Sequence, residues 1–550
     1  MLKISFLGGL GEFGRNMTLY EKDGHTLIVD CGMMFPETDL PGVDRVIPDF
    51  QYLMETKDGS KTALVITHAH EDHLGATPFL LRQLPMPVFA SPFALGLLEG
   101  KLEEMDISLD EVRELSNGKK ETFGPFEIEP IYVTHSIPEA FSMAINTGDG
   151  IFVHSSDFKF DQTPLDGRLT SYNRFQDYGT MGVTALLVDS TNSEVGGMAG
   201  SEKTVFRGLE SYISSSGERL IISLFSTNIQ RIQGILDLAS KYRKKVVFLG
   251  RSLLGNIEVS ERLRHLRYPP GVVIGTEDIP KGRPSDLIVV ATGSQGEPFS
   301  AMSRIAFDEI KNISIREGDT VIFSARIIPG NEKRIGRIIN QVYRKGGRVV
   351  TPAEDPSIHV SGHGAKEEIK LLASWVRGKY YVPIHGEFRQ LKENGELARE
   401  MGYPDERILV SEVGDSLVFD KGDLVGRANV PAGTIWLDGE SGDPVGKLLI
   451  RDRRHLGNEG FVLPVVVVNS QEGRFEADPE IIHRGYPPLE NQLDLSEEIK
   501  RALKSLAGEL TRDEMRDQNI VRARVKSAVK KTLKKTDAKI PLVIPVVMEV

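Results

Sequence analysis

One short stretch of this chain, Thr67 to Gly75, contains the residue types that bind transition metals. It reads THAHEDHLG and places three histidines and an aspartate within six residues. Imidazole and carboxylate groups are the ligands that a borderline-soft divalent ion prefers. His68 and His70 can face one point, whereas the adjacent Asp72 and His73 can reach a second point nearby. This spacing predicts a pair of metal ions, which two-metal sites hold about 3.5–4 Å apart.

A strand and a helix must position this cluster. The apolar run Ala63–Ile66 predicts a buried strand immediately before it, and the sequence from Leu74 onward predicts a helix. We therefore expect the metal-binding residues on the loop that leaves the strand, where side chains can converge. The alternative is a solvated loop that is histidine-rich by chance. Unpaired histidines beside a buried strand are costly, which disfavours that alternative.

Three further strand ends carry metal-binding residue types. His135 follows the predicted strand 130–134, Asp157 follows the predicted strand 150–156, and Asp30 ends another apolar run. Any one of them alone is more typical of a turn or a hydrogen-bonding residue. Their recurrence in the order HxHxDH, H, D favours one metal site built from several strand ends. For Asp30, an ordinary turn residue and a residue that orients a metal-bound histidine are equally compatible with the pattern.

Composition limits the classes to which the chain can belong. Its 550 residues are 40% hydrophobic and 26% charged, which is typical of soluble globular proteins and predicts three or four domains. A single cysteine, Cys31, excludes an internal disulfide framework and a cysteine-rich zinc ribbon. The absence of a signal-peptide pattern and of a long apolar run predicts a cytoplasmic protein without a membrane span. The net charge of −11 excludes a uniformly basic surface but not a basic groove for nucleic acid.

Two other regions have patterns of their own. From about Glu202 to Val376, strands alternate with helices, which predicts an inserted parallel α/β sheet. The tail predicts a small α/β module with strands at 461–468 and 540–547. One of its helices carries many basic residues opposite apolar residues at four-residue spacing: Arg522, Arg524, Lys526, Lys530, Lys531, Lys534, Lys535 and Lys539. They could form an RNA-facing surface, but an ordinary solvated face is the favoured interpretation.

The order of the metal-binding residues resembles that of the metallo-β-lactamase superfamily. Five later segments narrow the resemblance to the β-CASP nucleases and, among them, to the ribonuclease J family. These segments are LLVDSTN at 186–192, ATGSQGEP at 291–298, FSARIIPGNE at 323–332, IHVSGHG at 358–364 and VPIHGE at 382–387. The resemblance covers essentially the whole chain. Ala69 departs from it, since glycine is expected there.

The resemblance implies an α/β architecture in three parts. A metallo-β-lactamase αββα sandwich is expected at residues 1–201 and 377–455. An α/β β-CASP domain is expected to interrupt it at residues 202–376. A small C-terminal α/β domain is expected at residues 456–550.

The resemblance also implies a role for each candidate residue. Two zinc ions are expected, with manganese as the alternative metal. Their ligands would be His68, His70 and His135 for one ion, Asp72, His73 and His385 for the other, and Asp157 as a bridge. Asp30 would support the site without binding metal. The expected catalytic residues are Asp72, Asp189 and His363, with His363 as the general acid. A terminal phosphate would bind to His359, Ser361, Gly362 and His363, where small residues leave backbone N–H groups free.

The function implied is hydrolysis of RNA. The family resemblance implies a 5′→3′ exoribonuclease that favours 5′-monophosphate ends and also cuts internally, in rRNA processing and mRNA decay. A homodimer or homotetramer and association with other RNA-decay proteins are implied as well. The alternatives are a small-molecule hydrolase of the same superfamily, a DNA-directed nuclease, and a catalytically silent RNA-binding subunit. The last is disfavoured because all seven ligand positions are filled.

Overall fold

The computed structural model describes most of the chain. The described ranges are residues 1–36, 40–109, 111–279, 284–297, 299–328, 330–439, 441–486, 493–535 and 539–550. Pro298 and Pro329, which belong to two of the motifs above, lie outside the described residues. No helix in these ranges combines the length and the apolar character that a bilayer crossing requires.

The strands are numbered in chain order. They are β1 Leu2–Gly8, β2 Leu10–Gly11, β3 Met17–Lys22, β4 His25–Val29, β5 Val43–Pro48, β6 Thr62–Val65, β7 Val88–Ala90, β8 Val112–Glu114, β9 Glu121–Phe123, β10 Phe126–Tyr132, β11 Phe141–Asn146, β12 Ile151–His154, β13 Ala185–Asp189, β14 Leu220–Ser223, β15 Lys245–Leu249, β16 Leu287–Ala291, β17 Thr320–Phe323, β18 Arg348–Val350, β19 Tyr380–Ile384, β20 Gly386–Glu387, β21 Asp415–Asp420, β22 Asp423–Asn429, β23 Thr434–Asp438, β24 Phe461–Asn469, β25 Arg474–Phe475, β26 Glu480–Arg484, β27 Leu542–Val543 and β28 Val546–Glu549.

The α-helices are numbered in the same way. They are α1 Gln51–Thr56, α2 Glu71–Leu74, α3 Thr77–Gln83, α4 Pro92–Glu103, α5 Tyr172–Met181, α6 Glu202–Ser215, α7 Ile229–Lys241, α8 Arg251–Arg262, α9 Ala301–Ala306, α10 Glu332–Arg344, α11 Lys366–Val376, α12 Phe388–Glu400, α13 Lys447–Glu459, α14 Leu493–Glu509, α15 Arg512–Met515 and α16 Gln518–Leu533.

Two mixed sheets deliver the candidate site residues. The first has the order β22-β21-β1-β3-β4-β6-β7-β8, and the second has the order β19-β13-β12-β11-β10-β9. In the first sheet β4 and β6 are parallel neighbours, so Asp30 and the histidine-rich segment leave the same edge. In the second sheet β12, β13 and β19 are parallel, so Asp157, Asp189 and His385 leave one edge together.

The two sheets pack face to face over one hydrophobic core. Alternate residues along the strands point into it, as the two-residue period of a strand requires. Ile4 and Phe6 of the first sheet share this core with Phe126, Ile128 and Phe152 of the second. The αββα sandwich expected from the resemblance is therefore confirmed.

The inserted region contains a sheet of its own. Its order is β15-β16-β14-β17-β18, and every neighbouring pair is parallel. Helices α7 and α10 contribute to its packing through buried apolar faces. This confirms the parallel α/β sheet that the alternating pattern predicts. The loop after β17 begins at Ser324, and the loop that follows β18 contains the segment 358–364.

Residues 36–45 and 436–550 form a second compact unit. In it, β24 pairs with β25, β26, β27 and β28, and one face of this sheet shares a core with α14 and α16. The predicted strand 540–547 is divided into β27 and β28. Pro545 lies between them and has no N–H to donate, which explains the interruption. On α16 the basic residues are exposed, and Val521, Val525, Val529 and Leu533 are buried.

The close packing of α6 against the turn Pro356–Ile358 gives a first test. A Cβ added at Gly208 would lie 2.5 Å from the carbonyl oxygen of Ser357, whereas one added at Gly255 in α8 would meet nothing within 4 Å. We expect Gly208→Ala to destabilise the protein by about 1–3 kcal/mol through overpacking. Gly255→Ala should be neutral or stabilising by about 0.5–1 kcal/mol. Thermal unfolding of both variants measures this, and equal shifts in Tm would contradict it.

Candidate active site

Backbone hydrogen bonds hold the histidine-rich segment against the loops that follow β2 and β4. Asn16 donates to the carbonyl oxygen of Asp72 from its backbone N at 3.1 Å and from Nδ2 at 2.9 Å. Cys31 N donates to the carbonyl oxygen of His73 at 2.8 Å. Gly32 approaches so closely that an added Cβ would lie 1.6 Å from the Asp72 carbonyl oxygen. The position of the segment is therefore fixed by its main chain.

The segment becomes helical earlier than the sequence indicates. Helix α2 begins at Glu71, so Asp72 and His73 lie on a helical turn and not on the loop. His70 precedes the helix in an extended conformation, with φ −70° and ψ 150°. The acidic side chains of Glu71 and Asp72 favour this first turn, because negative charge is stabilised at a helix N-terminus.

Four side chains form a first cluster: His68, His70, His135 and Asp157. One ligand atom of each lies within 4.8 Å of all the others. His70 Nδ1 is 3.1 Å from His68 Nε2 and 3.0 Å from His135 Nε2. Asp157 Oδ2 is 3.6 Å from His68 Nε2 and 3.5 Å from His135 Nε2. Two imidazoles thus face one carboxylate oxygen, and the nitrogen of the third, His70, lies beside both of them.

A second cluster uses the other oxygen of the same carboxylate. Asp157 Oδ1 lies 3.2 Å from His73 Nε2 and 3.7 Å from His385 Nε2. His385 Nε2 is also 3.1 Å from Asp72 Oδ2. The rings of His73 and His385 are stacked, with centroids 5.3 Å apart and an interplanar angle of 12°. Asp157 therefore belongs to both clusters and faces one with each oxygen.

The donor set suits divalent metal ions. Both carboxylate oxygens of Asp157 are buried, and neither accepts a hydrogen bond from a described residue. A buried carboxylate without such a partner is strongly unfavourable unless a cation lies beside it. Imidazole nitrogens and carboxylate oxygens are also the usual ligands of such ions in catalytic sites. The site that the sequence predicts is thus assembled as a metal-binding arrangement.

Protonation in the two clusters differs. Burial, and then the charge of neighbouring histidines, holds the pKa of His68 and His135 well below the usual range, and burial lowers the pKa of His70 to about 4. These rings are therefore neutral, which is the form that binds metals. Burial opposes protonation of His385 too, but Asp157, Asp72 and Asp189 together raise its pKa to about 9. The carboxylates around the second cluster therefore favour protonation of its histidine, unlike those of the first cluster.

The outer nitrogen of each buried imidazole has its own partner. His135 Nδ1 lies 2.7 Å from the carbonyl oxygen of Gly362, and His385 Nδ1 lies 2.7 Å from Thr191 Oγ1. His68 Nδ1 lies 3.1 Å from Thr67 Oγ1. Such contacts fix the ring orientation and the tautomer of a metal-binding histidine.

Asp30 is the corresponding partner of His73. Its Oδ2 lies 2.7 Å from His73 Nδ1, and its two oxygens accept hydrogen bonds from Thr67 N at 2.8 Å and Thr67 Oγ1 at 2.9 Å. Asp30 also has a φ of 64°, which an aspartate adopts more readily than most residues. The turn and the orienting contact, which the sequence left open as alternatives, are both present.

Asp189 and His363 form a pair beside the clusters. His363 Nδ1 lies 2.8 Å from Asp189 Oδ2, and its Nε2 lies 3.7 Å from Asp157 Oδ2. Burial opposes its protonation, but Asp189 and then Asp157 raise the pKa of His363. Its side chain is 20% exposed and that of Asp72 is 34% exposed, against 1% for Asp157. The site therefore opens to solvent on the side of His363 and Asp72.

The loop that contains Ser361, Gly362 and His363 lies against the clusters. Ser361 Oγ accepts hydrogen bonds from Asn192 Nδ2 at 2.8 Å and from His363 N at 3.1 Å, which leaves the hydroxyl proton available. The expectation of free backbone N–H groups is wrong for His363 and for Gly364, whose N donates to the carbonyl oxygen of Phe158 at 2.6 Å. It holds for Ser361 and Gly362, whose N–H groups bond to no described residue. The backbone N–H of His363, which the sequence appeared to leave free, is thus bonded to the Ser361 hydroxyl.

His359, the remaining predicted residue, contacts another residue of the inserted region. Its Nδ1 lies 3.1 Å from Nη1 of Arg231, which is buried in α7. Arg231 lies outside the sequence motifs. Thr67, Thr191 and Asn192 lie within them, but the sequence indicated no role for these three residues. Their roles depend on Asp30, His385 and Ser361, which lie far away along the chain.

Four family models match successive parts of the chain. They describe the metallo-beta-lactamase superfamily at residues 10–171, the ribonuclease J beta-CASP domain at 217–342, the Zn-dependent metallo-hydrolase RNA specificity domain at 356–410 and the ribonuclease J C-terminal domain at 448–550. Ribonuclease J of Mycobacterium tuberculosis strain H37Rv is 38% identical over 527 residues, which span 95% of this chain and 93% of that protein. The chain belongs to the ribonuclease J family.

Other ribonuclease J proteins are similar over most of their length. Ribonuclease J 1 of Streptococcus pyogenes is 38% identical over 90% of this chain and 88% of that protein. Ribonuclease J of Helicobacter pylori strain 26695 is 34% identical over 92% and 73%. A crystal structure of a protein of unknown function from Enterococcus faecalis V583 shares the fold, with a TM-score of 0.54, 16% identity, and coverage of 76% of this chain and 100% of that one.

The shared carboxylate predicts a graded loss of metal. Because Asp157 faces both clusters and His135 only one, Asp157→Asn should lower the content of bound divalent metal more than His135→Ala does. His455→Ala is the matched control, since among the described residues His455 pairs only with Glu459, at 2.7 Å, and since it is partly exposed and lies outside both clusters. Elemental analysis of the purified variants measures this. Equal metal content in Asp157→Asn and the control would contradict the assignment.

Proposed function

We propose that this protein is a metal-dependent ribonuclease that trims RNA in the 5′→3′ direction from 5′-monophosphate ends and also cuts internally. The roles proposed are rRNA processing and mRNA decay. One observation carries the proposal. The loop with Ser361 adjoins the clusters directly, since the carbonyl oxygen of Gly362 lies 2.7 Å from Nδ1 of His135. A terminal phosphate on this loop would lie about one nucleotide from the clusters.

The proposed cofactor is a pair of zinc ions, with manganese as the alternative. His68, His70 and His135 would hold one, Asp72, His73 and His385 the other, and Asp157 would bridge them. When bound, such a pair activates water and neutralises charge that develops on the phosphoryl oxygens. Support comes from the two clusters that share Asp157 and from the mixed imidazole and carboxylate donor set.

His363 is proposed as the general acid for the departing 3′ oxygen. Its Nδ1 faces Asp189 at 2.8 Å, so the ring is held with Nε2 towards the clusters. The raised pKa of His363, for which Asp189 is the main favourable cause, keeps a proton available on the ring near neutral pH. Its partial exposure supports the role, because the leaving strand must have access to solvent.

The 5′ end is proposed to bind to His359, Ser361, Gly362 and His363. The free N–H groups of Ser361 and Gly362 and the hydroxyl of Ser361 are suitable phosphate donors. A 5′-triphosphate carries two further phosphates. This short loop has no room for them, so they would have to lie towards the clusters. A 5′-monophosphate is therefore the end that the loop favours.

The remaining proposals concern organisation. We propose the metallo-β-lactamase domain at 1–201 and 377–455, the β-CASP domain at 202–376 and the C-terminal domain at 456–550. A homodimer or homotetramer, and association with other RNA-decay proteins, are proposed from family membership alone.

Matched 5′-phosphorylated RNA and DNA substrates test the substrate class. Faster hydrolysis of the DNA would overturn the ribonuclease assignment.

His363 gives a specific test of the mechanism. His363→Ala should lower turnover by about 10²- to 10⁴-fold, because a positioned general acid contributes that much. Metal content should stay near that of the parent protein, measured on the same sample. His455→Ala serves again as the control for loss of a histidine. Loss of metal from His363→Ala would identify His363 as a ligand, which its closeness to Asp157, Asp189 and His385 makes a real alternative.

A second test concerns the 5′ end. We expect one RNA to be trimmed much faster with a 5′-monophosphate than with a 5′-hydroxyl or 5′-triphosphate. Ser361→Ala removes one donor from the loop and should reduce the ratio of monophosphate to hydroxyl rates by about tenfold, the value of one hydrogen bond to a charged group. A time course on the three substrates measures both ratios. Equal trimming of all three by the parent protein would exclude an end-reading site.

A further inference from the structure

Arg231 is a fully buried arginine that the proposed chemistry does not use. Its side chain is 1% exposed and makes a bidentate pair with Glu202, with Nη2 2.6 Å from Oε1 and Nε 3.2 Å from Oε2. Nη1 donates to the carbonyl oxygen of Ser324 at 2.6 Å. The guanidinium is therefore fixed in plane by partners on α6 and on the loop after β17.

The same Nη1 faces the imidazole of His359. The distance from Nη1 to His359 Nδ1 is 3.1 Å. A guanidinium can only donate hydrogen bonds, so Nδ1 must accept and carries no proton. The proton of a neutral ring is then on Nε2. No hydrogen bond of good geometry joins Nε2 to a described residue, although the Ser324 carbonyl lies near the ring. His359 thus presents one N–H donor at Nε2.

The main chain around His359 is held by the same residues. Ser324 Oγ donates to the carbonyl oxygen of Ile358 at 2.7 Å, and Arg231 Nη2 lies 3.5 Å from the carbonyl oxygen of Val360. The residues on both sides of His359 are therefore tied to one rigid group. Its ring orientation follows from that constraint together with the Nη1 contact.

The charges around His359 act in both directions. Burial and then the Arg231 charge lower its pKa to about 3, and the Lys159 ammonium contributes in the same sense. Glu202 and the Ser324 carbonyl favour protonation and are outweighed. Lys159 Nζ is itself buried, has no hydrogen-bond partner in the described part of the chain, and lies 3.8 Å from Asp161. The ring is accordingly neutral across the physiological range.

We propose that Arg231 is a positioning residue for recognition of the RNA 5′ end. It holds His359 as the Nε2–H tautomer, so that the ring offers one fixed, uncharged donor to the terminal phosphate. This inference rests on the proposed 5′-end reading by the loop that contains Ser361. It predicts that end preference does not depend on protonation of His359 between about pH 5.5 and 8, since its ordinary titration near pH 6.5 is suppressed.

The tautomer can be measured without any activity assay. The full-length protein is labelled with ¹⁵N-histidine, and the His359 signals are assigned as those that disappear in His359→Gln. We expect an unprotonated Nδ1 and a protonated Nε2 that stay unchanged from pH 8 to 5.5. A proton on Nδ1, or titration within that range, would overturn the proposal, whatever the 5′-end preference proves to be.

A pair of arginine variants separates positioning from stability. Arg231→Lys and Arg219→Lys each disrupt a buried arginine–carboxylate pair, and Arg219 pairs with Asp319 away from His359. Both should lower Tm. Only Arg231→Lys should change the His359 signals and reduce the monophosphate to hydroxyl rate ratio, by about tenfold. An unchanged ratio and spectrum in a folded Arg231→Lys protein would overturn the proposal.

Two substitutions of His359 keep the test decisive if Arg231→Lys does not fold. The amide nitrogen of glutamine reaches the position of Nε2, whereas an asparagine amide reaches only that of Nδ1. We expect His359→Gln to retain more of the end preference than His359→Asn. If His359→Asn retained more of the end preference than His359→Gln, the nitrogen that contacts the phosphate would be Nδ1, and the proposal would be overturned. Equal rates on monophosphate and hydroxyl ends in the parent protein would instead refute the proposed function, while the tautomer measurement remains valid.

Discussion

The carboxylate of Asp157 is the constraint on which the rest of the site depends. Both of its oxygens are buried, and neither receives a hydrogen bond from a described residue. Such a group is tolerated in a protein interior only when positive charge compensates it. Three imidazoles face Oδ2, and two face Oδ1. The parallel strands β12, β13 and β19 end at one edge of their sheet, which brings Asp157 together with Asp189 and His385. The order of the strands thus determines which residues surround this carboxylate.

Most histidines of the site use their two nitrogens for different purposes. One nitrogen faces a cluster, and the other is held by a carboxylate, a hydroxyl or a carbonyl oxygen. Among the described contacts His70 is the exception, since only its Nδ1 has neighbours, His68 and His135. His73 uses Asp30, His385 uses Thr191, and His135 uses the Gly362 carbonyl. Since an imidazole held at one nitrogen has one defined tautomer, the outer partners determine which lone pairs are available. The identity of the outer partner thus matters as much as that of the histidine.

Much of this arrangement could be predicted from the sequence, because its residues follow apolar runs. His135 and Asp157 each follow a predicted strand, and the parallel neighbours β12, β13 and β19 bring Asp157, Asp189 and His385 to one edge. The start of α2 was missed because the whole metal-binding segment was expected on a loop. Glu71 and Asp72, which favour a first helical turn, begin the helix three residues before Leu74. The N–H groups of His363 and Gly364 were wrongly taken as free, because their acceptors, Ser361 Oγ and the Phe158 carbonyl, depend on tertiary packing. Arg231 was missed because one arginine in an amphipathic helix resembles any surface arginine until its burial is known.

The contact between the Gly362 carbonyl and His135 joins the inserted region to the metal-binding residues of the sandwich. The carbonyl belongs to the loop from the inserted region, and the imidazole belongs to the sandwich. A hinge motion that swung the inserted region away would withdraw the carbonyl and leave the imidazole free to rotate. Opening of the inserted region and the fixed tautomer of His135 are therefore coupled through this single contact.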